Sequence, residues 1–505
     1  MKTAAAEIFK KYTDPETFAK IVSFGTVNEM WQRSAAEWSK DVAINDNGQA
    51  YTYAELDRDA ALFRQTLKNE GITAGARVIV LAPNSYDFVK AFLAVVTLGA
   101  CAVILPAHLD EMAVFGCTMK FGAKAIVYAP AMEAKLTVAK AKNIKVIGTD
   151  AMADTSAPMG DVLPQSECVI MFTGGTTGKS KGALLSHEAV MQGIVNGCYG
   201  YQDVFSQRYL LVLPLSHVFG LIRNLMTSLY TGSALFICRN NKDMFRDIAM
   251  FRPTVLVVVP ALAEMALNLS KKFGRNMLGE DLKYIICGAA AVAPYLVSEY
   301  AKYGIALFPG YGLTESANLV SGNPESAEKP ESVGLMYPNQ EYELVNGELW
   351  LKGRNMMLGY VGEPEENQNA YEDGWFKTGD LAKVDEDGFL YITGRVKEII
   401  VLPTGENVSP AEVEAKFNEL AIVQDSQVFE DLTESGAHIL ALEVVPRMTE
   451  LAKLGQADPT AYLIAELEKV NAALPAFERV SRITVRDTDF ARTPSMKIVR
   501  YKKCN

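Results

Sequence analysis

The chain alternates between short β-branched runs and longer runs with apolar residues at helical spacing. Residues 78–82 (VIVLA) read as a strand and 85–98 as a helix. Residues 210–213 read as a strand and 218–230 as a helix, in which Leu221, Ile222, Leu225, Met226 and Leu229 form a core-type stripe. Further strands are expected over 235–238 and 254–259, and a helix over 261–271. This alternation predicts α/β layers around mostly parallel sheets. An uncharged stretch, residues 91–107 (AFLAVVTLGACAVILPA), is slightly short for a membrane span and is broken by Gly99 and Pro106. It predicts a buried helix ending at Gly99 and a buried strand over 101–105. Near residue 340 the pattern turns to alternation. Residues 341–352 fold back at Asn346-Gly347 and 383–393 at Asp387-Gly388, the signatures of a small antiparallel β unit. A helix then starts with Ser409 as cap, Pro410 at its first position and Glu412 in its first turn, and the remainder reads β-α-β-α. The expected fold is thus α/β: a large N-terminal domain over 1–395, including the small β unit, and a small α+β C-terminal domain over 396–505.

Composition narrows the function classes. The 505 residues suffice for a large core and, on length alone, about three structural units. The net charge of −11 argues against a bulk electrostatic grip on nucleic acid or anionic membrane, though not against a local phosphate site. The seven cysteines are scattered and never spaced CxxC, and the four histidines lack metal-ligand spacing. Reduced, mostly buried thiols in a cytoplasmic protein are therefore expected, with no disulfide frame and no zinc site. Residues 1–18 hold no sustained apolar run, so no signal peptide is expected.

The densest chemical signal is Thr173-Gly174-Gly175-Thr176-Thr177-Gly178-Lys179-Ser180-Lys181-Gly182, which follows an apolar strand over 168–172. The glycines let backbone N–H groups turn toward an anion, the threonines add hydroxyls and the lysines add charge, as a polyphosphate requires. A Walker A loop would need glycine at 173 and a helix opening at its Lys-Ser pair. Position 173 is threonine, residues 183–185 read as a second strand, and a helix starts only after Ser186.

The loop resembles the T-S-G-T-T-G-x-P-K-G signature of the adenylate-forming superfamily of acyl-CoA synthetases, adenylation domains and luciferases, with Gly174 for the usual Ser and Ser180 for the usual Pro. Five further motifs follow in that family's order: Pro214-Leu-Ser-His217-Val-Phe-Gly220, Gly288-Ala289-Ala290-Ala291, Tyr311-Gly312-Leu-Thr314-Glu315-Ser316, Gly374-Trp-Phe-Lys-Thr-Gly-Asp380 and Gly394-Arg395-Val-Lys397. Thr493-Pro-Ser-Met-Lys497 resembles the C-terminal P-x-G-K segment, with Met496 for the usual Gly, as in the long-chain acyl-CoA synthetase branch.

The resemblance implies attack of a carboxylate on ATP to give acyl-AMP and pyrophosphate, followed by transfer to a thiol. It implies that residues 173–181 hold the β- and γ-phosphates, with Thr176 and Glu315 meeting Mg²⁺ and Thr314 near the α-phosphate. Gly288, Ala289 and Ala290 would flank adenine, with Tyr311 and Gly312 beneath it; Asp380 would hold the ribose, assisted by Arg395. His217, which on its residues alone reads equally as a packed core histidine, would border the acid tunnel. Lys497, by itself an ordinary solvated lysine, would bridge the carboxylate and the α-phosphate. Lys397, by itself a solvated charge beside Glu398, would be the hinge, and the loop at Gly405-Glu-Asn407 would enter the site for thiol transfer. A fatty or aryl acid, with CoA as thiol, fits best. Loading of a carrier-protein phosphopantetheine arm is the alternative. A nucleotide-binding protein without ligase chemistry, and a Walker-type kinase yielding ADP, are the others. The sequence names neither the acid nor an oligomeric state.

Overall fold

The structure, a computed structural model, describes residues 6–173, 181–338, 340–402, 406–433, 438–492 and 498–500. The chain separates into two compact units, Met1–Tyr342 with Leu351–Phe376, and Glu343–Trp350 with Lys377–Asn505. The architecture is mixed α/β, with one large unit and one smaller.

The large unit contains two sheets. One runs in the order Leu335–Met336, Asn318–Gly322, Ala306–Leu313, Tyr284–Cys287, Val255–Val258, Arg208–Leu211, Ala234–Ile237, Val42–Asp46, Gln49–Thr52. The other runs Gly359–Tyr360, Lys181–Ser186, Glu167–Thr173, Cys101–Ile104, Arg77–Leu81, Ala125–Tyr128, Lys145–Gly148. Their central pairings are parallel, and antiparallel strands lie toward the edges. Parallel strands are covered on both faces, so they read as unbroken apolar runs. Cys101–Ile104 and Val255–Val258 are buried at every position. The uncharged stretch is, as expected, the end of the buried helix Tyr86–Thr97, a left-handed Gly99 at φ +88°, and a buried strand.

Three parts of the chain depart from the sequence reading. The run over 218–230 is a π-helix, Phe219–Met226, continued by the α-helix Thr227–Tyr230, and it is buried throughout. Gly220 allows this: a Cβ there would lie 2.3 Å from the backbone oxygen of Pro214. The wide turn also buries Arg223 and Asn224 beside the apolar stripe; the Arg223 guanidinium sits 5.5 Å from the Tyr201 ring centre. In the smaller unit, the helix Pro410–Asn418 has Pro410 and Glu412 where expected, but Ser409 does not cap it. Its Oγ donates instead to the Thr393 carbonyl at 2.8 Å, because the chain there lies against Gly394. The C-terminal part is not a simple β-α-β-α run. Val423–Leu432 pairs antiparallel with His438–Pro446, the helices Met448–Lys453 and Pro459–Ala473 follow, and Arg482–Val485 joins the sheet in parallel. Val413, Phe417, Leu442, Val444, Leu463 and Leu467 form this unit's core.

The hairpin signals hold. Asn346 and Gly347 have φ of +52° and +84°, the pair of positive values a tight two-residue turn needs, between Gln340–Val345 and Glu348–Gly353. Gly388 at φ +87° lies between Trp375–Val384 and Leu390–Arg395.

One buried group carries a pH prediction. His187 opens the helix His187–Asn196 fully buried, its Nδ1 accepting from the Val27 N–H at 3.4 Å. Burial lowers its pKa from the ordinary 6.5 to about 4. Between those values the unfolded chain takes up a proton that the native protein does not, so stability falls as pH drops through that window. Urea unfolding at pH 7 and pH 5 should therefore show a loss smaller by about 2 kcal/mol in His187→Gln than in the parent protein. Equal losses in the two proteins would contradict this.

Candidate active site

The candidate residues of the large unit gather at the carboxyl ends of strands, where open α/β sheets bind ligands. Thr173 ends the strand Glu167–Thr173, and Lys181 opens the antiparallel strand opposite it, with Thr173 and Lys181 in register. The helix His187–Asn196 follows, capped by Ser186 Oγ, which accepts from the Ala189 N–H at 3.1 Å. A strand pair flanking the loop is the context expected of this motif and not that of a Walker loop, whose second flank would be a helix. Gly174, Gly175, Thr176, Thr177, Gly178, Lys179 and Ser180 themselves lie outside the described residues, as do Gly405 and Lys497.

Tyr311 and Gly312 lie on the strand Ala306–Leu313, which runs into a short turn, Thr314–Ser316, carrying Thr314 and Glu315. The turn is pinned from several sides. Ser316 Oγ, fully buried, accepts from the Leu313 N–H and donates to the Asn318 carbonyl at 2.8 Å. The Glu315 carbonyl accepts from the Met357 N–H at 2.8 Å, and the Ser316 carbonyl from Asn355 Nδ2 at 2.9 Å. Glu315 Oε1 accepts from the Tyr360 hydroxyl at 2.7 Å. Tyr360 pairs with Ala183 beside the strand that begins at Lys181. Its ring centre is 4.8 Å from Lys181 Nζ, which also meets Glu366 Oε2 at 2.5 Å. Lys181 and Glu315, candidates from motifs 134 residues apart, are thus joined through one phenol.

Gly288, Ala289 and Ala290 follow the strand Tyr284–Cys287, and Ala289 has a left-handed φ of +66°. A Cβ on Gly288 would lie 2.9 Å from the Gly310 carbonyl oxygen and 3.5 Å from the Phe219 ring. This segment, the tyrosine strand and the start of the π-helix therefore converge. His217 is half-buried, and its Nδ1 accepts from the Phe219 N–H at 3.2 Å; that bond assigns the ring proton to Nε2 when the imidazole is neutral.

In the smaller unit, Asp380 and Arg395 face each other in register across antiparallel strands and form an ion pair at 2.9 Å. Asp380 is nearly buried while Arg395 is about a third exposed. Lys397 lies exposed in the short turn Val396–Glu398. Glu398 meets Arg500, which holds Glu414 through two nitrogens at 2.7 and 2.6 Å.

Sequence reasoning missed Tyr360, Glu366 and Arg500. Nothing local marks them; only strand pairing and helix placement bring them beside motif residues. The Asp380–Arg395 pairing was legible in principle, since the Asp387-Gly388 turn nearly fixes the register.

The AMP-binding enzyme family model matches residues 31–361, and the AMP-binding enzyme C-terminal domain model matches 397–504. A feruloyl-CoA synthase from Amycolatopsis is 31% identical over 395 residues, covering 75% of this chain and 79% of its own. The long-chain-fatty-acid–CoA ligase FadD13 of Mycobacterium tuberculosis is 28% identical over 429 residues, covering 80% and 84%. The o-succinylbenzoate-CoA synthetase of Bacillus subtilis, solved with ATP and a magnesium ion, shares the fold with a TM-score of 0.78 at 22% identity over 93% of this chain and 98% of its own. With the first family model spanning well over half of its length, the chain belongs to the AMP-binding enzymes.

Proposed function

We propose that the protein joins a carboxylic acid to coenzyme A at the expense of ATP. The acid's carboxylate oxygen attacks the α-phosphorus, the bond to the bridging oxygen breaks, and pyrophosphate leaves. The CoA sulfur, as thiolate, then attacks the acyl carbonyl and AMP departs. The observation that carries this reading is the Thr173–Lys181 strand pair joined through Tyr360 to the Glu315 carboxylate, in a chain of this family. Feruloyl-CoA synthase and FadD13 act on an aryl and a fatty acid by name, and either class suits this chain.

Attack of one anion on another needs positive charge and oriented donors where charge builds. In our reading, residues 173–181 grip the outer phosphates, Tyr311 and the Gly288–Ala290 segment hold adenine, and Asp380 holds the ribose with Arg395 fixing its carboxylate. His217 borders the acid, and Lys497 neutralises the approaching carboxylate and the α-phosphate. Lys397 is the hinge between a catalytic body, residues 1–395, and a lid, 396–505. Among the described residues no three His, Cys, Asp or Glu side chains gather as a metal cage. Mg²⁺ commonly needs only one or two carboxylates beside substrate phosphates, so Glu315, with Thr176, fits it. Bound with the triphosphate, the ion offsets charge on the departing pyrophosphate. The described cysteines carry no disulfide, which supports a reducing compartment, the cytoplasm.

The test supplies ATP, Mg²⁺ and a panel of aryl and fatty acids, and follows AMP and pyrophosphate. Acid-dependent pyrophosphate release, with acyl-CoA formed on adding CoA, is expected. ADP as product, or no adenylate with any acid, would overturn the reading; adenylate that reacts only with a phosphopantetheinylated carrier protein would replace CoA as acceptor.

A further inference from the structure

We infer that Tyr360 is a positioning residue for the metal–nucleotide complex: its hydroxyl orients the Glu315 carboxylate while its ring seats the Lys181 ammonium. This rests on the reading of Glu315 as a Mg²⁺ ligand. The hydroxyl donates to Glu315 Oε1 at 2.7 Å, and Lys181 Nζ lies 4.8 Å from the ring centre. A carboxylate offers about four lone-pair positions, so one donor at Oε1 fixes its orientation without exhausting its capacity for a cation. A cation over an aromatic face is attracted by the ring quadrupole, most strongly where water is excluded. Tyr360 is 8% exposed and Lys181 16% exposed at its side chain, so both contacts are shielded.

The backbone around Tyr360 is held at each side. Its N–H donates to Asn367 Oδ1 at 2.6 Å, and its carbonyl accepts from Asn367 Nδ2 at 2.8 Å. Leu358 N–H donates to the Leu184 carbonyl and Val361 N–H to the Gly182 carbonyl. Met357, three residues earlier, donates to the Glu315 backbone. One segment therefore grips the Glu315 turn by main chain and side chain while adding a strand to the phosphate-loop pair.

Tyr360→Phe removes the donor and keeps the ring. With Mn²⁺ as probe and ATP present, the free-ion signal by electron paramagnetic resonance should report binding about tenfold weaker in this variant, with ATP binding in the absence of metal unchanged. Tyr360→His, which restores a ring N–H donor, should recover part of the loss. Unchanged Mn²⁺ binding in Tyr360→Phe, with or without a fall in thermal midpoint, would overturn the inference. A measurement on the intact chain guards against a variant that does not fold: 3-fluorotyrosine at position 360 should show a fluorine line broadened by Mn²⁺·ATP, and a line unaffected by the ion would equally overturn it. The ligase reading fails separately, through the acid panel. Loss of Mn²⁺ affinity in a protein that forms no adenylate would leave Tyr360 in its role and remove the ligase assignment.

Discussion

Replacing Lys497 by alanine is expected to slow acyl-adenylate formation about a thousandfold while ATP still binds. The first half-reaction brings a carboxylate against a polyanion, and the chain must set a cation between them as the new bond forms. Lys497, outside the described residues, is assigned by the Thr493-Pro-Ser-Met-Lys497 segment. A compact ammonium on a flexible stem suits a charge delivered to a reacting centre. In the proposed site other residues hold the outer phosphates and adenine, so removing Lys497 should separate binding from chemistry. Acid-dependent pyrophosphate release measures the chemistry, and calorimetric titration with ATP measures the binding. Equal release rates in variant and parent would take Lys497 out of the reaction.

Gly312→Ala is expected to destabilise the large unit by about 3 kcal/mol or more and to abolish nucleotide binding. The added Cβ would fall 2.2 Å from the Asn318 carbonyl oxygen, 2.5 Å from Leu319 Cα and 2.7 Å from Asn318 C. All three are main-chain atoms of the buried neighbouring strand Asn318–Gly322, so no rotamer change relieves the clash. The strands pair with an irregular register between Tyr311 and Gly312, and prising them apart moves Tyr311 on one side and the Glu315 turn on the other. Differential scanning calorimetry at a fixed rate, with an ATP titration, tests both effects. A parent-like thermal midpoint would mean that the strands separate at little cost.

The sequence carried the architecture where local chemistry decides it. Gly99, Asn346-Gly347 and the strand after the phosphate loop each fix their geometry within a few residues, and each is found as expected. It carried less where distant segments decide. The run over 218–230 has an ordinary helical stripe, and neither its wider turn nor the close approach of Gly220 to the Pro214 carbonyl is written in that stripe. Ser409 is a good cap by type, yet the chain's approach to Gly394 gives its hydroxyl another partner. In the candidate site, the family resemblance named Glu315, Asp380 and Arg395, but not that Arg395 faces Asp380 or that a tyrosine from another strand holds Glu315. The first pairing follows from the register that the Asp387-Gly388 turn sets and could have been drawn from it; the second is set by topology, which no short window contains.

The widened turn over Phe219–Met226 also bears on how this protein can change over evolution. A regular helix advances about 100° per residue. A π turn holds about one residue more than the α turns beside it, so deleting a single position there to restore ordinary winding would leave Thr227 to Tyr230 largely in phase, with Leu229 and Tyr230 still in the interior they fill. A one-residue shortening of this segment among descendants should therefore leave its far end packed, whereas the same deletion in a regular buried helix would turn everything beyond it by about 100°.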